Sequence, residues 1–209
     1  MHCNLSHAAR LAILLTLCAA DTAPTADFHA SPQGRPTGDG SEAAPWNLAT
    51  AFSMTDRVGP GDTLWLHGGT YQGGFECRLA GKAGAPVTIR QAAGEQATID
   101  CRPRDSQDSG LFVAAGDHCV FWGFEVTCSD PRRRTSIGSS WPEDIRRGGM
   151  FSRASHVRFI NLVVHDTAGG FGFWSEGEGG EIYGSLIYHN GWRGPDRGHG
   201  HAIYAQNRT

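Results

Sequence analysis

The second half of the chain repeats a short alternation of apolar and polar positions about every two dozen residues. Three stretches align: Val120-Phe121-Trp122-Gly123-Phe124-Glu125-Val126-Thr127, Arg158-Phe159-Ile160-Asn161-Leu162-Val163-Val164-His165 and Ile182-Tyr183-Gly184-Ser185-Leu186-Ile187-Tyr188-His189. Each contains a β-type run, a turn-prone residue (Gly123, Asn161 or Ser185) and a second run. A period of this size marks stacked coils, because one repeat cannot bury its apolar side without neighbours above and below. Glycine-led strands, Gly110-Leu111-Phe112-Val113, Gly149-Met150-Phe151 and Gly172-Phe173-Trp174, each precede one member of the set. The aligned turn residues are 24 apart between Asn161 and Ser185 but 38 apart between Gly123 and Asn161. The surplus falls in residues 129–147, which reads as a loop inserted between two consecutive coils. Gly and Asn accept the positive-φ bend that such a turn needs, and Ser185 is the poor fit.

The first half carries the pieces that would start such a stack. A strand over Phe28-His29-Ala30 leads into a loop punctuated by Gly and Pro. Leu48, Ala51, Phe52, Thr55 and Val58 then fall at helical spacing behind Asn47, a suitable N-cap. One amphipathic helix ahead of strand repeats would cover the apolar end and the open strand edges of the stack. Strands follow at Thr63-Leu64-Trp65-Leu66, Val87-Thr88-Ile89-Arg90 and Ala97-Thr98-Ile99-Asp100. The expected division is a cap over residues 28–58 and coils over 60–209. His201-Ala202-Ile203-Tyr204 reads as the opening strand of a further coil with no capping segment after it, so the N-terminal portion of a longer protein is expected.

Composition alters this picture in three places. The formal net charge of -3 gives no bulk pull toward nucleic acid. Residues 1–20 read as a secretory signal: His7 and Arg10, an apolar run from Leu11 to Leu17, then Cys18-Ala19-Ala20. That run is too short to span a bilayer, so the expectation is a secreted or periplasmic protein with no membrane span. Cys77, Cys101, Cys119 and Cys128 then remain, and an exported chain with four cysteines allows two disulfides in three connectivities. We expect one bridge; the alternative is four small residues buried on stacked strands.

Several segments carry a resemblance. Ser31-Pro32-Gln33-Gly34, Ala44-Pro45-Trp46, Pro60-Gly61-Asp62-Thr63-Leu64-Trp65-Leu66 running into Gly69-Thr70-Tyr71, Gly84-Ala85-Pro86-Val87-Thr88-Ile89 and Gly200-His201-Ala202-Ile203-Tyr204 all contribute. Together they resemble the N-terminal part of bacterial right-handed parallel β-helix proteins of the pectate-lyase-like superfamily. The resemblance implies an all-β solenoid with three parallel sheets. It admits polysaccharide lyases, glycoside hydrolases, epimerases and surface proteins alike, since fold kinship does not license a reaction.

Four constellations could carry chemistry. The strip from Gly191 to His201 places Trp192, Arg193, Asp196, Arg197, His199 and His201 in a Gly-rich loop. Arginine pairs bidentately with a uronate carboxylate, tryptophan stacks on a sugar face and histidine moves a proton near neutral pH. Arg197, His199 and His201 are therefore the candidate catalytic residues, and Trp192, Arg193 and Asp196 the candidate substrate contacts. His199 and His201, two apart, would point the same way on an extended strand. The inserted loop adds Arg133 and Trp141 as further substrate contacts, suited to an acidic polymer. His165, Asp166 and His189, one coil apart, are the candidate metal set, for Ca²⁺ through oxygens or a transition metal through imidazoles; a hydrogen-bonded ladder is the favoured reading. Glu176, Glu178 and Glu181 sit on a Gly-rich turn where solvent exposure is expected. The resulting expectation is a carbohydrate-active protein acting on acidic polysaccharide by β-elimination. Lys82, the single lysine, lies in a turn, which leaves Arg, His or coils beyond Thr209 to supply the base. A non-catalytic glycan-binding or adhesin-like solenoid and a glycoside hydrolase are the alternatives.

Overall fold

Strands of two to five residues bury too little surface to stand alone, so their stability comes from register with the coils on either side. The computed structural model describes residues 25–102, 110–113, 116–140 and 142–206. The signal reading over residues 1–20 and Trp141 lie outside the described residues.

Three parallel sheets carry the chain. Sheet A stacks β1 (Asp27–Ala30), β2 (Thr63–Leu66), β5 (Val87–Gln91), β8 (Cys119–Trp122), β11 (Arg158–Ile160) and β14 (Glu181–Tyr183) in that order. Sheet B stacks β3 (Gly69–Gln72), β6 (Ala97–Asp100), β9 (Glu125–Thr127), β12 (Val163–His165) and β15 (Leu186–Tyr188). Sheet C stacks β4 (Phe75–Cys77), β7 (Leu111–Val113), β10 (Met150–Ser152), β13 (Phe171–Phe173) and β18 (Ile203–Ala205). The chain visits A, B and C in turn and then rises to the next layer, which makes the molecule a parallel β-helix. A separate antiparallel hairpin pairs β16 (Trp192–Arg193) with β17 (Gly198–His199).

In-register columns of apolar side chains fill the interior. Sheet A contributes Leu64, Ile89, Phe121, Phe159 and Ile182. Sheet B contributes Tyr71, Ile99, Val126, Val164 and Ile187. The Phe159 ring packs 5.6 Å from Phe121 and 5.1 Å from Phe171, joining sheets A and C through the core.

The last aligned stretch sits one residue away from the sequence-based alignment. Ile160 pairs with Tyr183, so Ile182 faces inward with Phe121 and Phe159, and Tyr183 points outward beside Trp122 and Ile160. The bend explains the shift. Gly123, Asn161 and Gly184 take positive φ, 82°, 50° and 61°, and Ser185 does not. Gly184 is also required sterically, because a Cβ there would run into the Asn161 Oδ1. The last glycine-led strand shifts as well: Gly170 leads β13, and Gly172 occupies the position of Phe112 and Phe151.

The cap forms as its pattern requires, though shorter. Asn47 accepts from the Thr50 N–H at 2.8 Å and starts α1 (Leu48–Ser53), which buries Leu48, Ala51 and Phe52. The helix stops before Thr55, which is exposed, while Val58 is buried in the turn that follows. Phe52 meets Phe75 edge-on at 6.5 Å, so α1 closes the end of sheet C. Trp46 stacks on Phe28 at 5.5 Å and donates to the Gly38 carbonyl at 2.7 Å, holding the loop against β1.

The expected disulfide is absent. Cys77, Cys101, Cys119 and Cys128 are all free and buried. They fill inward positions as small apolar residues, with the Cys119 thiol donating to the Leu79 carbonyl at 2.9 Å. Burial pushes the Cys77 and Cys101 thiols well up, which keeps them protonated.

Candidate functional site

The links between sheets B and C leave the helix on one side, and there the molecule forms its cavity. Residues 128–149 emerge between β9 and β10, and residues 189–202, including the β16–β17 hairpin, emerge between β15 and β18. The two segments meet. The Thr135 N–H donates to the Arg193 carbonyl at 3.0 Å, and the Arg193 N–H donates to the Arg133 carbonyl at 2.7 Å. They form one wall beside the outer face of sheet C.

That face is an aromatic floor. Glu76, Phe112, Phe151, Gly172 and Tyr204 form its outward column. The Phe151 ring lies over Gly172, where a Cβ would come within 2.5 Å of it. Trp174 flanks both neighbours, 6.5 Å from Phe151 and 5.6 Å from Tyr204. Floor and wall enclose a cavity of about 330 Å³ whose lining includes Phe151, Trp174, Tyr204, Arg197, His199 and His201.

The predicted strip is brought to this cavity, with changed roles. His199 stacks flat on Trp192, ring centres 3.9 Å apart, and its Nε2 meets Asp196 Oδ1 at 3.0 Å. Arg197 Nη1 reaches the other Asp196 oxygen at 2.7 Å. The hydrogen bond from His199, helped by Arg197, holds the Asp196 carboxyl below its usual range. Gly200, with φ of 91°, ends β17, so His201 turns off the strand and lies 5.2 Å from the Tyr204 ring. Trp192 is no open platform. Only 6% exposed, it packs with Ile145 and Ala168 beneath the wall. Arg193 is exposed and contributes through its backbone. The floor aromatics Phe112, Phe151, Trp174 and Tyr204 went unassigned in the sequence, although the residue after the first apolar position of each glycine-led strand marks Phe112 and Phe151.

Arg133 and the expected metal set form a clamp for the wall. Asp166 Oδ1 accepts from Arg146 Nη1 at 3.0 Å and pairs with Arg133 Nη2 at 3.2 Å. Arg133 also donates to the His189 carbonyl. The Asp166 Oδ2 faces His165 Nδ1 at 2.8 Å, and His165 Nε2 faces Glu125 Oε1 at 2.8 Å. Tyr188 covers the His165 ring at 4.8 Å, nearly parallel. His165 thus stacks on Tyr188, and Asp166 stands level with His189, because the register is 23 residues here.

Burial alone would lower the His165 pKa, but hydrogen bonds to Asp166 and Glu125 outweigh it and hold the imidazole above its ordinary value. Burial likewise opposes ionisation of Asp166 and Glu125. Their partners, His165 with Arg146 for the first and Thr98 with His165 for the second, hold both below the usual carboxylate range. One carboxylate facing two guanidinium groups and an imidazole does not fit a Ca²⁺ ion, which needs several oxygens of net negative charge. Among the described residues no group of three or more His, Cys, Asp or Glu side chains could hold a metal ion. Glu176 pairs with Arg153 at 3.4 Å, and Glu178 and Glu181 are exposed.

No family model and no curated protein sequence matches the chain. Solved structures do. A pectate lyase, Pel9A, aligns over 80% of this chain and 49% of its own, at 22% identity and a TM-score of 0.52. A rhamnogalacturonan lyase aligns over 88% of this chain and 62% of its own, at 13% identity and a TM-score of 0.55. The GH136 lacto-N-biosidase from Eubacterium ramulus aligns over 87% of this chain and 41% of its own in the native form, at 14% identity and a TM-score of 0.56. The chain therefore spans about half the length of these neighbours. Among the described residues no helix is long and apolar enough to cross a membrane. At these identities the likeness shows the fold alone: the chain is a parallel β-helix.

Proposed function

We propose that the cavity over sheet C binds a polysaccharide and that the protein acts on acidic polysaccharide by β-elimination. The observation that carries this reading is the pairing of an aromatic floor with a wall bearing Arg197, Asp196, His199 and His201. The flat apolar faces of pyranose rings stack on aromatic side chains, and the floor offers one outward position per coil, about 4.8 Å apart. Arg197 would pair with a uronate carboxylate and so acidify the neighbouring C5–H. A neutral imidazole would take that proton as the C4–O bond breaks, leaving a C4–C5 double bond, and the imidazolium so formed would return the proton to the leaving oxygen. His199, its Nε2 fixed on Asp196, and His201 beside Tyr204 are the two imidazoles in place. No step passes through a metal. The same reading makes the chain an exported protein, processed after residue 20.

One observation favours a second reading, a glycan-binding solenoid without turnover: Arg197 and His199 are already tied to Asp196. Incubation with polygalacturonate separates the two. Absorbance from unsaturated ends, lost by 100-fold or more on the order of a missing acid–base group in His199→Ala or His201→Ala, supports elimination. Retained binding without new ends supports the second reading. New reducing ends without unsaturation indicate hydrolysis, and a panel of acidic polysaccharides that neither bind nor react overturns both readings.

A further inference from the structure

Two histidine pairs stack between layers, and they are built differently. His118 and His156 lie face to face, ring centres 4.6 Å apart and planes within 14°. In His29 and His67 the centres are 5.2 Å apart while Nδ1 of the first and Nε2 of the second approach to 3.1 Å. Those two nitrogens therefore lie between the rings, within hydrogen-bond distance of each other.

The second pair is also oriented from outside. His67 Nδ1 meets Glu95 Oε1 at 3.2 Å, and Glu95 Oε2 accepts the Gly68 N–H at 2.5 Å. A carboxylate accepts, so Nδ1 of His67 carries the proton and Nε2 presents its lone pair. A carboxylate holding the far nitrogen is the usual outer support of a metal-bound imidazole. His29 belongs to β1, His67 to the bend after β2, and Glu95 to the link between β5 and β6, so the chain of contacts crosses three layers. This lies at the cap end, on residues that the cavity over sheet C does not use.

We propose that His29 and His67 form a chelating site for a divalent transition metal, Cu²⁺, Ni²⁺ or Zn²⁺, which pins the cap strand to the first coil. With metal–nitrogen bonds of about 2.0–2.1 Å, a 3.1 Å separation corresponds to an angle at the metal of about 100°. That value lies between square-planar and tetrahedral geometry, so a small tilt of each ring admits the ion. The Nδ1 proton of His29 moves to its own Nε2, and the ion takes its place between the rings. Water completes the shell. Imidazole ligands select these ions over Mg²⁺ and Ca²⁺.

Titration of the purified chain with Cu²⁺, followed by electron paramagnetic resonance, should show one site with two imidazole nitrogens. Ni²⁺ should raise the melting temperature of the wild type and of His156→Ala, and leave His29→Ala and His67→Ala unchanged. Glu95→Gln should weaken Ni²⁺ binding by about 10- to 100-fold while keeping the two-nitrogen signature. A Ni²⁺ shift that persists in His29→Ala, a single-nitrogen Cu²⁺ spectrum, or no site tighter than about 1 mM overturns the proposal. Should both alanine variants unfold at room temperature, the His29→Gln spectrum decides: two imidazoles there exclude this pair.

Discussion

The two corners flanking sheet B are made by opposite rules. Between sheets A and B, four of the five links are two residues long, and the last three hold a left-handed Gly or Asn. Between sheets B and C, links run from 2 residues after β3 to 22 after β9 and 14 after β15. The first corner is fixed by backbone sterics, so it repeats. The second is held by side chains and by contacts between different coils, and it carries the cavity wall. A solenoid can vary one corner freely only while the others keep the register constant.

Cutting the clamp should separate the corners most sharply. Asp166→Ala leaves Arg146, only 4% exposed, without its carboxylate. The loss should be about 2–3 kcal/mol, below the range for a fully buried pair because Asp166 itself is 33% exposed. Limited proteolysis should then cut within residues 129–147 while the sheets stay intact; an uncut loop would remove the clamp from the explanation. Next in size, Gly184→Ala should cost about 1–2 kcal/mol in urea unfolding, for the left-handed backbone and the collision with Asn161. Asn161→Gly should stay within about 0.5 kcal/mol, since glycine meets no steric penalty at that φ.

The pH dependence of the clamp has two limbs. The raised His165 pKa contributes stability that is complete below the unfolded value of 6.5 and is lost as pH rises through the folded one. The depressed Asp166 and Glu125 values contribute stability that is present above the unfolded carboxylate range and is lost as pH falls through the folded values. Loop protection should therefore peak in mildly acidic solution, and His165→Gln should flatten the alkaline limb and weaken the acid one, since His165 also helps to hold both carboxyls down. Smallest of all, Glu178→Gln on its exposed turn should change stability by less than about 0.5 kcal/mol.

The repeat, the cap and the position of the inserted loop were legible in the sequence because each follows from backbone chemistry. Asn161 and Gly123 announce their bends, and Asn47 announces the helix start. The one-residue shift at Gly184 was missed because Ser185 lies beside it and the flanking runs, both apolar, tolerate either frame. The strip around His199 was found because polar and aromatic residues crowd a Gly-rich segment. Its geometry was not, since Asp196 draws both Arg197 and His199 onto its own carboxylate. The floor escaped notice because Phe112, Phe151 and Tyr204 are neighbours only through pairing across dozens of residues. Arg133 and Asp166 looked like separate sites for the same reason.

The backbone bridge between Arg134 and Arg193 joins segments from turns that are not adjacent along the winding. A molecule caught with only its early layers wound already has its cap and much of its core, yet it has no groove. Ligand capture of the kind proposed would thus report completion of the last described layer, and a denaturant series should abolish it before the innermost amide protons begin to exchange.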